Sequence, residues 1–323
     1  MDLNKIKNIP KHYFKEILKS FSRLEKLKKL NLFSGIHFKE AEKKLAEKVE
    51  NYKKVEKEAM KAWKIVQLSR HDKRPQTSDY IEGIFDEFIE LSGDRLSADD
   101  QSITAGLGKI NGRTVAAVGH TKGKNIKERI KYNFGMSSPQ GFRKSQRIME
   151  LADRFGFPVI TFIDTGGAYP GIEAEDGGQA GAISNSILRM FKLKVPVISV
   201  LIGEGGSGGA LALAIGNYII MLKNSTYSVI SPEGCAAILW KDPSGTKLAA
   251  RALKLTSKEL HRLGIIDRIV NEPMGGAHTR PDRMVKIIKK NIEVALRRLE
   301  NVPGDKLKAD RAEKFEKIGY FGS

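Results

Sequence analysis

The sequence predicts an α/β protein with a largely parallel sheet, and two observations indicate this fold class. From about residue 158 onward, short apolar runs typical of strands alternate with segments of helical periodicity. Two of these runs, ITFI and VPVISVLI, each lead into a glycine-rich bend, DTGGAYPG at residues 164–171 and GEGGSGGALALAIG at 203–216. Because strands that alternate with helices pair in parallel through right-handed crossovers, the two bends occupy corresponding positions in successive strand–helix units.

The first region, residues 1–70, is predicted to be a helical extension rich in lysine and glutamate. Between Phe38 and Leu68, apolar or small residues recur at the spacing of one helix face: Ala41, Leu45, Val49, Tyr52, Val55, Ala59, Ala62 and Val66. Pro10 and the NLFSG stretch around Gly35 predict two helices with a break between them. We expect this extension to pack on the main body or on another subunit.

Residues 71–300 are predicted to form the main domain, which starts with the polar connector HDKRPQTS at residues 71–78. Thr77 or Ser78 is expected to cap a helix over YIEGIFDEFIEL, residues 80–91, with Asp79 in its first turn. Further along, Asn111-Gly112 separates SITAGLGKI from TVAAVGH, and this dipeptide predicts a tight hairpin.

The alternating part of this domain is predicted as a helix that ends at Gly156, a strand at 158–163, a helix at 176–192, a strand at 196–202 and a helix at 208–215. Strands over NYIIML and TYSVI follow, and then a helix near 245–263, a short strand at 266–270 and a helix at 282–299. We expect residues 301–323 to be a basic tail.

The chain carries 56 Lys and Arg against 38 Asp and Glu, which gives a formal net charge of +18. This excess suits an acidic ligand such as a phosphorylated cofactor, an acidic protein partner or nucleic acid, and it equally suits a lysine-rich solvated surface. The single cysteine, Cys235, excludes an internal disulfide and a Cys-rich zinc site. No apolar run reaches the roughly 18–20 residues that a membrane span needs. Because the chain has a lone cysteine and its N-terminus has no continuous apolar stretch typical of a secretory signal, we expect a reducing, cytoplasmic setting.

The second bend satisfies two motifs of enzyme sites. Gly203-x-Gly205-x-x-Gly208 matches a dinucleotide-binding fingerprint, but no acidic residue follows about 20 positions later to hold a ribose. The stretch 205–209 also matches the G-x-S-x-G nucleophile elbow, which makes Ser207 a candidate nucleophile of a serine hydrolase. The residues that could complete its triad are Asp242 or Asp267 with His261 or His278.

A third interpretation assigns the chemistry to the main chain instead of a side chain. Glycines at both bends can point backbone N–H groups at a substrate oxygen and so form an oxyanion hole without a nucleophile. The same glycines would also serve a purely structural purpose, the close packing of helix on strand. His120, at the end of a predicted strand, is expected to be a hydrogen-bonded core residue.

Several long motifs together strongly resemble the alpha subunits of bacterial-type acetyl-CoA carboxylase carboxyltransferases. They are AWKIVQLSRHDKRPQTSDYI, FDEFIELSGDR, GHTKGKNIKERIKYNFGMSSPQGFRKSQRIM, ITFIDTGGAYPG, GEGGSGGALALAIG, TYSVISPEGCAAILW and PMGGAH. The resemblance runs from about Ala62 to Leu299. It implies a crotonase-like fold (the ClpP/crotonase class), in which repeated ββα units wind into a spiral, with the helical extension at the N-terminus.

The resemblance also implies a division of labour between subunits. A beta subunit that carries a zinc ribbon would complete an α2β2 heterotetramer, and no metal is expected in this chain. Carboxybiotin, carried by the biotin carboxyl carrier protein and charged by biotin carboxylase in the larger complex, would donate its carboxyl group to acetyl-CoA. The product is malonyl-CoA, and this is the first committed step of fatty acid biosynthesis.

For the site, the resemblance implies that backbone amides of Gly205, Gly206, Gly208 and Gly209 form the oxyanion hole on the biotin side. Gly166, Gly167 and Ala210 are expected to bind substrate close by. The biotin nitrogen released by transfer can then act as the base, so no protein carboxylate or histidine is required. The family's first bend commonly reads DTPGAYPG, whereas this chain has Gly166 at the proline position.

Overall fold

The computed structural model describes residues 35–319 together with Lys19, Ser20, Ser22, Arg23 and Lys26. Of the predicted break between two helices, Pro10 and residues 31–34 lie outside the described residues, and Gly35 begins the first described long helix. The chain divides into two compact units, one of residues up to Lys64 with Ser231–Leu253 and one of Ile65–Ile230 with the residues from Lys254 onward. The boundaries expected at residues 70 and 300 stay predictions.

The described helices, in chain order, are α1 Gly35–Ser69, α2 Thr77–Ile84, α3 Ile126–Lys131, α4 Pro139–Phe155, α5 Ile172–Asp176, α6 Gln179–Lys192, α7 Ser207–Leu211, α8 Pro232–Trp240, α9 Thr246–Ala252, α10 Ser257–Arg262, α11 Pro281–Leu299 and α12 Gly304–Glu316. The strands are β1 Glu87–Glu90, β2 Ile103–Ile110, β3 Arg113–His120, β4 Val159–Thr165, β5 Val197–Gly206, β6 Tyr218–Leu222, β7 Thr226–Ser228 and β8 Arg268–Val270. None of the described helices is both long and apolar enough to cross a membrane.

The first unit consists of the early part of α1 with α8 and α9. Ser231 begins α8 because its hydroxyl accepts the N–H of Gly234 at 3.1 Å and so satisfies a donor that the first helical turn leaves free. Arg251 of α9 pairs with Glu58 of α1 at 2.8 Å, with both side chains more than 40% exposed. In such a setting an ion pair adds little to stability.

The second unit contains the sheet, in the order β1-β2-β3-β4-β5-β6-β8, with β7 paired to β5. β1, β2 and β3 are antiparallel, while β3 to β6 and β8 are parallel, as is β7 on β5. The parallel pairing predicted from the alternation of strands and helices is therefore confirmed. The predicted hairpin is confirmed as well, because Ile110 faces Arg113 across a turn in which Asn111 and Gly112 have φ of 51° and 77°.

Two opposite layers of side chains make the core, as the period-two alternation of strands requires. Ile160 and Phe162 of β4 point into one layer, which α2 and α11 cover. Val159 and Ile163 point into the other, which contains buried side chains of α4 and α6. The sheet is thus covered on both faces, and only its edges and strand ends are left for a site.

The helix predicted over residues 80–91 is wrong in its second half. α2 ends at Ile84, and Glu87–Glu90 form the edge strand β1. Pairing with β2 determines the structure of residues 87–90 in spite of the helical spacing of their apolar residues. This pairing requires glycine at position 106, because a Cβ there would lie 2.1 Å from the carbonyl oxygen of Ile89. The cap is Gln76 instead of the predicted Thr77 or Ser78, because Gln76 and Asp79 form a reciprocal capping box.

Three further boundaries differ from the prediction around the second bend and beyond it. β5 continues to Gly206, and α7 ends at Leu211 instead of 215. β5 is longer because β7 pairs with it over Glu204 to Gly206, which is a non-local contact. The helix predicted near 245–263 is split into α9 and α10, with Lys254 at φ 51° between them.

Candidate functional site

The two glycine-rich bends contact each other through their backbones. β4 and β5 are parallel neighbours, so their carboxyl ends lie side by side. A Cβ on Gly206 would lie 2.1 Å from the carbonyl oxygen of Gly166, and a Cβ on Gly209 would lie 2.5 Å from the carbonyl carbon of Gly167. Real Cβ atoms do not approach this closely, so glycine at 206 and 209 is a packing requirement.

The predicted amide donors fall into two structural settings. Gly205 and Gly206 end β5, where Gly205 pairs with Thr165 and Tyr227 and Gly206 pairs with Ser228. Gly208 and Gly209 lie in the first turn of α7, where backbone N–H groups have no acceptor within the helix. The N–H of Ala210, by contrast, is in position to donate to the carbonyl oxygen of the N-cap residue Gly206. The amides of Gly208 and Gly209 are therefore the ones that the local structure leaves available.

The first bend is open on one side. A Cβ on Gly166 would meet only Oε2 of Glu204, at 3.8 Å, and one on Gly167 would meet nothing within 4 Å. Gly166 also has no positive φ, whereas Gly167 has φ 155°. Position 166 therefore has room for a side chain, and position 167 is the one that favours glycine.

A cavity of about 250 Å³ opens beside Gly166. It is lined by Ser69, Arg70, His71, Asp72, Arg74, Gln76, Lys122, Arg129, Phe134, Met136, Asp164, Gly166 and Glu204. Of the site residues that the sequence predicted, Gly166 is the one in this lining, while Gly167, Gly205, Gly206, Gly208, Gly209 and Ala210 are not part of it.

Charged side chains in the lining neutralise one another. Nζ of Lys122 lies 2.7 Å from Oδ1 of Asp164 and 3.6 Å from Oε2 of Glu204. Nε of Arg70 donates to Oε1 of Glu204 at 2.7 Å. Asp164 and Glu204 have side chains that are only 7% and 17% exposed, so two cations next to two carboxylates keep either charge from being buried alone.

A second ion pair fixes the wall of the cavity. Arg74 binds Glu272 through two parallel hydrogen bonds of 2.9 and 3.0 Å, and both side chains are at most 2% exposed. Burial raises the pKa of Glu272, but the hydrogen bond and charge of Arg74 outweigh it and hold the pKa below its usual value. The other partners of this carboxylate are Asn224 and the amide of Ala277. The connector 71–78 is thereby tied to the loop that follows β8.

Sequence reasoning missed most of these charged residues. In the sequence, Lys122 is one member of a basic run, and nothing local distinguishes Arg70 or Arg74. A signal was present, because Asp164 and Glu204 each come directly at the end of a strand in neighbouring parallel strands. Two carboxylates at the carboxyl ends of neighbouring strands need cations, and the basic residues in and directly before the connector and those after β3 were the available partners.

His120 is buried as expected, with 1% of its surface exposed. Among the described residues neither ring nitrogen makes a hydrogen bond of good geometry. Burial lowers its pKa to about 4, against the opposing effects of the Asp164 carboxylate and of the backbones of Phe162 and Gly209, which come close enough to raise it. The imidazole is therefore neutral at pH 7, although it lies within the influence of the charged cavity lining.

Ser207 has the backbone of a nucleophile elbow but no partner to activate it. Its φ is 48°, a strained value for serine. The proposed partners are engaged elsewhere: Asp267 accepts from Ile219 and Lys314, Asp242 accepts from Ser244, and the ring of His278 stacks on that of His71 at 3.7 Å. His261 lies exposed in α10, and the described residues show no hydrogen bond from Ser207 to any histidine. The serine hydrolase interpretation gains no support.

Solved structures with a similar fold belong to carboxyltransferases of acyl-CoA substrates. The chain superimposes on transcarboxylase 12S, solved with methylmalonyl-coenzyme A and methylmalonic acid bound, with a TM-score of 0.58 at 16% identity over 70% of this chain and 42% of that one. It superimposes on the beta subunit of P. aeruginosa geranyl-CoA carboxylase with a TM-score of 0.54 at 16% identity over 77% and 45% of the two chains. The chain thus spans less than half the length of these proteins. It shares their crotonase-like fold, as the sequence predicted.

Sequence comparison identifies the family within this class. A family model described as acetyl co-enzyme A carboxylase carboxyltransferase-like matches residues 11–319. An acetyl-coenzyme A carboxylase carboxyl transferase subunit alpha from Thermus thermophilus is 47% identical over 97% of this chain and 99% of its own length. That of Xanthomonas axonopodis pv. citri is 52% identical over 81% and 82%. The chain belongs to the family of acetyl-CoA carboxylase carboxyltransferase alpha subunits.

Proposed function

We propose that this chain, together with a beta subunit, transfers the carboxyl group of carboxybiotin to acetyl-CoA and so produces malonyl-CoA. Membership of the alpha-subunit family supports this activity. The single structural observation behind the site is the backbone contact between the two bends, Gly206 on Gly166 and Gly209 on Gly167. This contact supports the proposal because the first turn of α7 packs against the open glycine bend, whose Gly166 lines the charged cavity.

The residues present fit the group to be bound. Carboxybiotin, held on the carrier protein, supplies an activated carboxyl group, and its ureido oxygen gains negative charge as that group leaves. Gly166 and Gly167 leave space where side chains would otherwise project, and the amides of Gly208 and Gly209 lack acceptors within α7. Such preset donors are worth roughly 2.7–4 kcal/mol each in comparable sites.

The remaining tasks of this chain are to orient the reacting groups and to exclude water from them. The strands β4 and β5 fix the two bends relative to each other, and the paired charges of Lys122, Asp164 and Glu204 keep the wall of the cavity polar without leaving any of these charges buried alone. Among the described residues no three His, Cys, Asp or Glu side chains form a cluster that could hold a metal ion. Zinc is proposed for the beta subunit, and acetyl-CoA is proposed to lie mainly on that side.

The assembly that we propose is an α2β2 heterotetramer that works in the cytoplasm with the carrier protein and biotin carboxylase. The decisive experiment combines the purified chain with its beta subunit and measures biotin-dependent decarboxylation of malonyl-CoA, the reverse half of the reaction. We expect neither subunit alone to be active and the mixture to be active. Full activity of the chain by itself would contradict the division of labour, and an inactive mixture would contradict the proposed function.

A probe for serine nucleophiles separates this proposal from hydrolysis. A fluorophosphonate should leave Ser207 unmodified, because no base lies next to its hydroxyl among the described residues. Stoichiometric labelling of Ser207 that disappears on heat denaturation would favour a hydrolase. The variant Ser207→Gly is the matched control, since glycine adopts the positive φ of this position without strain.

A further inference from the structure

The ladder between β4 and β5 contains an irregularity at the point where the second bend begins. Ile163 pairs with Leu201, but the next pair is Thr165 with Gly205. Asp164 alone therefore faces three residues of β5, from Ile202 to Glu204, so that β5 bulges by two residues. A bulge leaves backbone groups without ladder partners, and these groups must be satisfied in another way.

Side chains satisfy the bulged backbone. Oδ1 of Asp164 accepts the N–H of Glu204 at 2.9 Å, and Arg74 donates to the carbonyl oxygen of Ile202 at 2.9 and 3.2 Å. A Cβ on Gly203 would lie 2.3 Å from Oδ1 of Asp164, so the carboxylate occupies the space that the glycine leaves. Asp164 and Gly203 therefore fit each other and together define the shape of the bulge.

The position of the Asp164 carboxylate depends in turn on Lys122. Nζ of Lys122 lies 2.7 Å from Oδ1, the same oxygen that accepts the Glu204 amide. Lys122 is 19% exposed and Asp164 7%, and an unpaired carboxylate at this depth would be costly. Arg70 completes the chain of contacts by holding the carboxylate of Glu204 at 2.7 Å.

We propose that Asp164, held by Lys122, is a positioning residue for carboxyl transfer: it fixes the bulge in β5 and thereby sets the direction of the backbone from Gly205 to Gly209. The amide that Asp164 holds belongs to Glu204, directly before Gly205. Loss of this hydrogen bond turns the amides that follow, although Asp164 itself does not touch the substrate. This inference rests on the proposed function, because the amides matter for rate only if they bind the developing charge.

The test compares Asp164→Ala, Asp164→Asn, Lys122→Met and Lys122→Arg in the chain assembled with its beta subunit. Asp164→Ala and Lys122→Met should lower kcat by about a hundredfold with KM for malonyl-CoA nearly unchanged, because misplacement by about 1 Å has that effect on rate. Asp164→Asn keeps an acceptor for the Glu204 amide, and Lys122→Arg keeps the charge, so both should recover part of the loss. Asp310→Asn, at the exposed pair with Lys306, is the control and should leave kcat unchanged.

Amide hydrogen exchange supplies a readout that does not depend on activity. In Asp164→Ala we expect peptides that cover Glu204–Gly209 to exchange at least about tenfold faster, while Val197–Leu201 keeps its protection, so that global unfolding is distinguished from local release. An inactive wild-type mixture would contradict the proposed function but leave this measurement valid. A rise in KM with unchanged kcat, or unchanged exchange in Asp164→Ala, would overturn the positioning role.

Discussion

The Cα of Gly206 faces the carbonyl oxygen of Gly166 so closely that a Cβ on Gly206 would lie 2.1 Å from that oxygen. This contact joins the carboxyl ends of β4 and β5 through main-chain atoms alone. Any side chain at 206 must therefore separate the two bends, whatever its chemistry.

Substitution of this glycine should slow the reaction through geometry. We expect Gly206→Ala to lower kcat by about a hundredfold and the free energy of unfolding by about 1–3 kcal/mol. Gly181→Ala is the matched control, because a Cβ at this position in α6 would meet nothing within 4 Å. Steady-state assay of the reconstituted enzyme and urea denaturation measure the two effects. A Gly206→Ala enzyme with wild-type kcat would show that the contact between the bends is irrelevant to catalysis.

His120 should make stability depend on pH in the acidic range. Its folded pKa of about 4 lies below the value of 6.5 for an unperturbed histidine, so the unfolded chain binds more protons between these values. The contribution of the neutral imidazole is complete above pH 6.5 and is lost as the pH falls toward 4, by up to about 3 kcal/mol. Asp164 and Lys122, the charged groups that act on the ring, shift its pKa in opposite directions.

Urea denaturation at about pH 7 and about pH 5, on either side of the unperturbed histidine pKa, tests this with His120→Gln as the comparison. The loss of unfolding free energy between the two pH values should be smaller in the variant than in the wild type, because glutamine does not titrate. Equal losses in both proteins would show that other groups account for the pH dependence.

The buried pair of Arg74 and Glu272 should be costly to break from one side. Arg74→Met leaves the Glu272 carboxylate in a nearly solvent-free position, and we expect a loss of about 3–5 kcal/mol of unfolding free energy. Lys306→Met, at an exposed pair, should cost less than about 1 kcal/mol. Urea denaturation curves give the loss of unfolding free energy for both variants. A loss for Arg74→Met as small as that for Lys306→Met would mean that Glu272 is more accessible to water than its 1% exposure indicates.

Arg311 should be irreplaceable by lysine. It is fully buried in α12, and its guanidinium donates to the carbonyl oxygens of Met190, Leu193 and Val195 and to the side chain of Asn217. Burial lowers its pKa to about 10, so it is charged at neutral pH.

An ammonium group cannot span acceptors that the planar guanidinium reaches, so Arg311→Lys should lose roughly 2–4 kcal/mol of unfolding free energy. Lys308→Arg, at an exposed position of the same helix, is the control and should be neutral. A neutral Arg311→Lys variant would mean that charge alone, without the fork of donors, satisfies these carbonyls.

The sequence predicted the parallel core of the sheet and the hairpin at Asn111-Gly112 because local signals determine them. It failed at Glu87–Glu90, where pairing with β2 decides the structure, and at the end of β5, where β7 adds a non-local partner. The glycines of the site could be found in the same way, from two bends after two strands. The cations could not, because Arg70, Arg74 and Lys122 reach their carboxylates and carbonyls only through the three-dimensional fold.

The mutual contact of the bends also limits which mutations could make the enzyme resistant to an inhibitor. A compound that hydrogen-bonds to the main chain here offers no side chain whose exchange would weaken it, since alanine at 206 or 209 already collides with the opposite bend. Escape would have to arise in the surrounding cavity wall or in the partner subunit, so drug resistance should map to those places and spare the glycines.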